Sequence, residues 1–243
     1  MATIPDNVQL VRRRMAAACA SAGRPADSLR LMCVGKTRSA DELRQAFMAG
    51  ERCFGENYVQ EGLAKIAELA DLRQQIEWHL IGPLQTNKTK LVAEAFDWVD
   101  SVDRLKVAQR LSDQRPADLA PLQLCLQVNI SGESSKSGLL PVDVAAVAEA
   151  VAALPRLRLR GLMAIPAPLD GFAAQRAPHR ALRELLASVR ESCPRLGDDF
   201  DTLSMGMSDD LDAAIAEGAT TVRIGTALFG ARPAPTDPST LRP

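Results

Sequence analysis

Residues 203–230 read LSMGMSDDLDAAIAEGATTVRIGTALFG and contain two consecutive strand-to-helix junctions. The first strand ends near Ser204, and its loop leads to Ser208, which we interpret as the N-cap of a helix with an acidic first turn. The second strand, TVRI, ends at Gly225 and Thr226, where another helix can begin. Strands that alternate with helices in this way are typical of a parallel α/β sheet.

The same alternation extends through the rest of the chain. Apolar runs predict strands at Leu29–Lys36, Glu51–Gly55, Glu77–Gly82, Trp98–Val102, Leu122–Ile130, Leu159–Ile165, Asp201–Met205 and Thr220–Gly225. Helical periodicity predicts helices at Asp6–Ala22, Ala40–Ala49, Tyr58–Asp71, Asn87–Ala95, Asp103–Asp113, Pro141–Ala153, Arg176–Glu191 and Ser208–Glu217. The first strand is not followed by the GxGxxG motif that an open doubly wound sheet often carries. We therefore predict a single (β/α)8 TIM barrel over residues 1–233 with an extra N-terminal helix.

Length and composition agree with one barrel. The chain has 243 residues, of which 47% are apolar and 4% aromatic, so the core should consist of Ala, Leu, Val and Ile. A net charge of −1 and a pI near 6.2 give no electrostatic reason to expect nucleic acid or an acidic membrane as a partner. No apolar stretch predicts a membrane span, and the N-terminus lacks a secretory pattern. We expect a cytoplasmic monomer, and we expect the Pro-rich residues 234–243 to be a disordered tail.

The cysteines and histidines do not predict a metal site. The five cysteines form no CxxC pair and lie mostly in apolar surroundings, which favours buried free thiols. His79 and His179 are far apart in the chain, and neither has the spacing of a metal ligand.

The two junctions of residues 203–230 are suited to an anion. Gly225 allows an oxyanion to approach backbone N–H groups, Thr226 adds a hydroxyl donor, and the next helix begins there with the positive end of its dipole. Ser204 and Met205 occupy the corresponding place after the preceding strand. Because the loops after the last two strands of (β/α)8 barrels often bind phosphate, we predict a phosphorylated ligand.

Lys36 closes the apolar run LRLMCVGK, so it lies at the carboxyl end of the first strand, where barrel active sites are found. When the barrel closes, this strand lies beside the last one and its phosphate loop. A lysine in a pocket can form a Schiff base with an aldehyde. The cofactor that carries both an aldehyde and a phosphate is pyridoxal 5′-phosphate, which we predict as the ligand. The structural alternative is a surface lysine that only ends a strand.

Polar or polarisable residues follow several other predicted strands. Glu56 and Asn57 come just after the second strand, His79 lies on the third, and Asn129 ends the fifth. Met163 ends the sixth strand, where its thioether can pack against a flat ring. Each has an ordinary structural alternative as a cap or a core residue. We expect all of them at the same end of the barrel as the predicted lysine.

Arg223 limits the reactions that a bound pyridoxal 5′-phosphate could support. It lies two residues before Gly225 and so shares its face of the strand, which points it into the barrel mouth. An arginine keeps its proton at neutral pH, so it would hydrogen-bond an unprotonated pyridine nitrogen and keep the ring neutral. A neutral ring is a weaker electron sink than a pyridinium ring, which disfavours aminotransferase chemistry. The structural alternative is an ion pair with an acidic neighbour.

Six blocks of the sequence resemble a known family. The blocks are VGKTRS, CFGENYVQE, WHLIGPLQTNK, SGESSKSGL, GLMAIP and residues 203–230. Together they look like the signature blocks of the pyridoxal-phosphate homeostasis protein family, the YggS/PROSC-type single-domain relatives of the alanine racemase barrel. The resemblance covers the chain from about Leu29 to Gly230 and implies a barrel of the alanine racemase type.

The resemblance also implies roles for individual residues. Lys36 would be the Schiff-base lysine, Arg223 would face the pyridine nitrogen, and Asn57 would lie close to the cofactor. The phosphate would be held by Ser204, Met205, Gly225 and Thr226. With His79 and Met163 from the strand ends, these residues make up the predicted cofactor-binding set.

The function implied is binding of pyridoxal 5′-phosphate for intracellular homeostasis, through storage, protection or delivery to recipient apoenzymes, with no catalytic residue assigned. The alternative is a pyridoxal-phosphate-dependent amino-acid racemase, and a Schiff-base aldolase is more distant. A racemase needs a second acid or base opposite the lysine. Barrel racemases take a tyrosine from a separate domain, whereas the single tyrosine here, Tyr58, begins a helix. His79 and Cys33 could substitute, but both are predicted to pack inside strands. For Lys136, a cofactor contact, a transfer site and a solvated loop lysine all remain open.

Overall fold

The structure, a computed structural model, describes residues 2–133 and 136–231. Eight parallel strands follow one another in chain order and close into a barrel, which confirms the predicted fold. The strands are β1 Arg30–Val34, β2 Cys53–Glu56, β3 Glu77–Leu80, β4 Trp98–Val102, β5 Leu122–Val128, β6 Leu157–Ala164, β7 Thr202–Ser204 and β8 Thr221–Ile224. The α-helices are α1 Ile4–Ser21, α2 Ala40–Met48, α3 Val59–Glu68, α4 Thr89–Ala95, α5 Leu105–Gln114, α6 Val144–Ala152, α7 Phe172–Ser192, α8 Leu211–Ala216 and α9 Thr226–Phe229. The predicted tail lies outside the described residues.

Local sequence determines where the first two helices begin. Thr3 and Asp6 form a capping box at the start of α1, and Ser39 and Glu42 form another at the start of α2. In each box a hydroxyl accepts a backbone N–H of the first turn, and the acidic side chain accepts the N–H of the cap residue. The second box fixes the end of the loop that carries Lys36.

Side chains of the strands alternate between two apolar layers. Leu31 and Cys33 of β1 belong to the large layer between the strands and the surrounding helices. Met32 and Val34, the intervening residues, belong to a smaller buried cluster inside the barrel. None of the helices in the described part of the chain is long and apolar enough to cross a membrane.

The barrel closes between its first and last strands. Leu31 pairs with Val222 and Cys33 with Ile224, so the end of β1 lies beside the end of β8. This register brings the loop after β1 next to the loop after β8. The two loops that sequence analysis assigned to an aldehyde and a phosphate are therefore neighbours.

Most helix boundaries differ from the predictions by one to three residues, and for α7 and α8 the reason is visible in the structure. The predicted helix Ser208–Glu217 begins only at Leu211, because residues 208–210 form a turn and Asp210 is the cap residue. The Asp210 carboxylate accepts the N–H of Met207 at 2.6 Å, which closes this turn. Helix α7 begins at Phe172, four residues before the predicted start, and contains Pro178. The proline falls within the first two turns, so the pattern suggested a later start.

Candidate functional site

Lys36 lies in a small cavity at the carboxyl ends of β1 and β8. The cavity has a volume of about 20 Å³ and is lined by Val34, Lys36, Arg38, Gly225 and Thr226. The cavity thus brings Lys36 together with Gly225 and Thr226, two other predicted ligand-binding residues that follow it by about 190 positions in the chain. Lys36 is half-buried at this position.

The loop after β8 offers donors to this cavity. Gly225 is the N-cap residue of α9, and no side chain caps the helix. The N–H groups of Leu228 and Phe229 already donate to the carbonyl of Gly225. The N–H groups of Thr226 and Ala227 have no acceptor within the helix, so they are the donors that this turn presents near Lys36. A Cβ atom at position 225 would lie 3.4 Å from the carbonyl oxygen of Val34, an ordinary van der Waals distance, so the end of β1 packs directly against this loop.

A second cavity, of about 190 Å³, also lies at the carboxyl end of the barrel, which we call its mouth, near the ends of β2, β3, β5 and β6. Asn57, Gly82, Asn129 and Lys136 are among its lining residues. Gly82 is required here because a Cβ atom would lie 2.1 Å from the carbonyl oxygen of Asn57. Within residues 2–133 and 136–231, the buried Oδ1 atoms of Asn57 and Asn129 have no hydrogen-bond partner. Unpaired buried acceptors of this kind fit a ligand that brings its own donors.

Lys136 lies at the edge of this second cavity. Its amine contacts Glu133 at 3.1 Å and the carbonyl oxygen of Ile165 at 3.4 Å. The Asn129 side-chain amide donates to the carbonyl of Glu133 at 2.7 Å, which attaches the start of this loop to the end of β5. Lys136 therefore lies at the mouth, separated from the cavity of Lys36 by the barrel axis.

Arg223 and Ser204 form a buried polar chain inside the barrel. Arg223 donates to the carbonyl and hydroxyl oxygens of Ser204 at 2.6 and 3.1 Å and to the carbonyl of Ala164 at 2.8 Å. The Ser204 hydroxyl in turn donates to Asp100 at 2.9 Å. Burial lowers the pKa of Arg223, while the charges of Asp100 and Asp210 oppose that effect. The Ser204 side chain is thus engaged inside the barrel.

The structure corrects the expected location of His79. Its ring lies in a cavity of about 730 Å³ at the amino ends of the strands, with Glu77, Trp98 and Asp100. Nδ1 lies 2.8 Å from Asp100 and Nε2 lies 2.9 Å from Glu77, and the ring stacks on Trp98. Burial opposes the imidazolium form, but nearby Cys53 and Asp100 raise the pKa of His79 well above its usual value. His79 is therefore at the opposite end of the barrel from Lys36.

The two methionines of the predicted set are also buried in packing. Met163 is fully buried with Trp98 and Cys125 inside the barrel. Met205 is fully buried in the layer between strands and helices, and its backbone N–H donates to the carbonyl of Thr221 at 3.0 Å. That N–H is thus hydrogen-bonded within the sheet, and a role of Met205 at the phosphate stays a prediction.

Three potential metal ligands meet at the amino-end cavity. One side-chain atom each of Cys53, Glu77 and His79 lies within 4.8 Å of the others. Sequence spacing did not predict this group, because its members come from two neighbouring strands. Arg30 pairs with Glu77, and Asp100 holds the other nitrogen of His79, so both groups already have charged partners.

A buried charge cluster that the sequence pattern did not predict lies beneath the loop of Lys36. The Lys65 amine contacts Glu56 at 2.8 Å and Glu61 at 2.7 Å, and Lys65 and Glu56 are almost completely buried. Burial raises the pKa of Glu56 to about 7, although the charge of Lys65 opposes this shift. A signal was present: Lys65 lies on the buried face of α3, where an apolar residue is expected.

Comparison with known proteins defines the class of this barrel. The family model described as "Alanine racemase, N-terminal domain" matches residues 4–233. The chain is also similar to the protein PipY of Synechococcus elongatus, solved with PLP bound, at 39% identity and a TM-score of 0.79. That match covers 89% of this chain and all of PipY. The class is therefore a single alanine-racemase-type barrel.

Curated relatives narrow the class further. The chain is 60% identical over 232 residues to the pyridoxal phosphate homeostasis protein of Pseudomonas aeruginosa, which covers 96% of this chain and 97% of the relative. It is 51% identical to the protein of that name from Escherichia coli strain K12, covering 96% and 98%. The chain belongs to the pyridoxal phosphate homeostasis protein family, as its sequence blocks indicated.

Proposed function

We propose that this chain binds pyridoxal 5′-phosphate at the carboxyl end of its barrel and serves in intracellular homeostasis of that cofactor, by storing, protecting or delivering it. The observation that carries the proposal is the meeting of Lys36, Gly225 and Thr226 in one cavity. When bound, the cofactor supplies an aldehyde that forms a reversible imine bond with a lysine amine. Lys36 is the residue we assign to that bond.

The other residues of the mouth fit the remaining parts of the cofactor. The Thr226 hydroxyl and the first N–H groups of α9 are donors suited to a phosphate. Arg223 supplies a fixed positive charge in the barrel beneath the mouth and is the proposed partner of the ring nitrogen. Asn57 and Asn129 supply unpaired acceptors on the opposite wall.

The proposal is tested by replacing the lysine. Lys36→Ala should abolish the near-ultraviolet or visible absorbance of the bound cofactor and the adduct that borohydride traps, while the circular dichroism spectrum is unchanged. Lys90→Ala, at an exposed lysine of α4, is the matched control and should trap the cofactor as the wild type does. Peptide mapping that located the adduct on Lys136 or Lys65 would contradict the assignment. A bond to Lys65 would require its amine to give up the three hydrogen bonds that it makes within the protein.

The racemase alternative requires a second proton-transfer group near the lysine. Tyr58 is 62% exposed at the start of α3, outside the residues that line the two mouth cavities. Incubation of the cofactor-loaded protein with single L-amino acids in deuterium oxide separates the two functions. We expect no exchange of the α-proton during incubation, whereas a racemase would exchange it with turnover.

Delivery to recipient apoenzymes requires that binding of the cofactor be reversible. A storage or delivery protein must release its cofactor as well as bind it. Cofactor-loaded protein mixed with a pyridoxal-phosphate-dependent apoenzyme should lose its absorbance as the apoenzyme gains activity. Transfer no faster than spontaneous release into a scavenger of free cofactor would rule out direct delivery and leave storage.

A further inference from the structure

The loop that carries Lys36 rests on the buried charge cluster formed by Glu56, Glu61 and Lys65. The Lys65 amine donates to Glu56 Oε1 at 2.8 Å, to Glu61 Oε1 at 2.7 Å and to the carbonyl oxygen of Gly35 at 2.6 Å. A lysine amine has three protons, so these contacts account for all of them. Lys65 is therefore held at a defined position beneath the loop.

This cluster holds the backbone on both sides of Lys36. Lys65 binds the carbonyl of Gly35, the residue before Lys36. Glu61 accepts the N–H of Thr37, the residue after it, at 2.5 Å. Since Lys65 and Glu61 are themselves joined by a 2.7 Å contact, the backbone on the two sides of Lys36 is fixed to one cluster and has little freedom to turn.

The conformation of the loop shows why such support is needed. Thr37 has a φ of 64°, in the left-handed region that a β-branched residue rarely adopts. Gly35 lies so close to the cluster that a Cβ atom there would be 2.5 Å from Glu56 Oε1. Backbone strain of this kind persists only where surrounding contacts impose it, and it concentrates at functional sites.

We propose that Lys65 and Glu61 are positioning residues for Lys36: by binding Gly35 and Thr37 they hold its amine beside Gly225 and Thr226, where the cofactor aldehyde must arrive. The inference rests on the proposed function, in which Lys36 bonds the cofactor. Glu56 completes the cluster as the buried partner of the Lys65 charge. None of the three contacts the cofactor in this proposal.

The test compares formation of the covalent bond with binding of the phosphate. Glu61→Ala removes the acceptor of the Thr37 N–H at a partly exposed site, whereas Glu61→Gln retains an acceptor oxygen. With pyridoxal 5′-phosphate, Glu61→Ala should slow borohydride-trapped adduct formation on Lys36 at least tenfold, and Glu61→Gln should restore most of the rate. Binding of pyridoxine 5′-phosphate, which has no aldehyde, should change less than twofold in both variants. A merely structural role would weaken both ligands together.

A second variant tests Lys65 without leaving an unpaired buried charge. Lys65→Met combined with Glu56→Gln removes both charges of the buried pair and keeps similar side-chain volumes. It should show the same selective loss as Glu61→Ala, while Glu68→Ala on the exposed face of α3 should match the wild type. Adduct formation at the wild-type rate in both Glu61→Ala and the double variant would overturn the inference. A wild-type protein that forms its adduct elsewhere would instead overturn the proposed function, and the inference would fall with it.

Discussion

The hydroxyl of Ser204 donates a 2.9 Å hydrogen bond to the buried carboxylate of Asp100, on the opposite side of the barrel interior. Arg223 contacts the same hydroxyl oxygen at 3.1 Å, so Ser204 links a buried cation to a buried anion. Ser204 was predicted to bind phosphate, and the structure instead gives its side chain a place in the charge balance of the core.

Ser204→Ala should therefore lower the stability of the protein without any ligand present. Hydrogen bonds to charged groups contribute about 1.5–3 kcal/mol each, and Asp100 would lose one. We expect the free energy of unfolding, measured by urea denaturation of the apoprotein, to fall by that amount. Ser21→Ala, at the exposed end of α1, should change it by less than about 0.5 kcal/mol. Unchanged stability together with loss of phosphate affinity would show that Ser204 binds the phosphate, as the sequence predicted.

Thr226→Ala should weaken retention of the phosphorylated cofactor. The lost bond from a hydroxyl to a charged phosphate oxygen is worth about 1.5–3 kcal/mol, which corresponds to roughly tenfold or more in affinity. Equilibrium dialysis against pyridoxal 5′-phosphate measures the loss. Unphosphorylated pyridoxal provides the control within the same variant, because its binding does not involve this bond. Equal losses for both ligands would show that Thr226 does not act through the phosphate.

Glu56 should make stability fall as pH rises from about 4.5 to 7. Its folded-state pKa, about 7, is above its ordinary value of 4.5. Glu56 therefore ionises at a lower pH in the unfolded state than in the folded state, and the free energy of unfolding falls between these two values. At 1.36 kcal/mol per pKa unit, the whole penalty is on the order of 3 kcal/mol and is complete above about pH 7. Denaturation across this window should show the fall in the wild type.

Glu56→Gln removes the titrating group and should remove that part of the pH dependence. Glu68→Gln, at an exposed carboxylate of α3, is the matched control and should keep the wild-type slope. If the slope between pH 4.5 and 7 survives in Glu56→Gln, another group causes it.

His79 should remain charged at pH values where an ordinary imidazole is neutral. Because its pKa is raised, the stability that it contributes is fully present below about pH 6.5 and is lost as pH rises through the raised value. The chain has two histidines, so imidazole NMR signals can be assigned with a His179→Gln variant. A titration midpoint at or below 6.5 for His79 would contradict the buried charge network. Loading the cofactor should leave its signals nearly unchanged, because the ring lies at the amino end of the barrel.

The sequence by itself determined the barrel and the place of Lys36. Apolar runs alternating with helical periods predict the eight strands, and closure of parallel strands in chain order places the end of the first beside the end of the last. Lys36, Gly225 and Thr226 could thus be grouped without knowledge of any side-chain contact. The resemblance of the sequence blocks also led to the family that comparison confirmed.

Tertiary structure alone decided which layer of the barrel each inward residue occupies. His79 was expected at the same end as Lys36, but the closed barrel places His79 of β3 at the amino end and Lys36, in the turn after β1, at the carboxyl end. The partners of Ser204 and of the Gly35 carbonyl, Asp100 and Lys65, come from distant parts of the chain. Charges buried in pairs leave no periodic pattern in a sequence, because their stability depends on partners that only the closed barrel brings within hydrogen-bond distance.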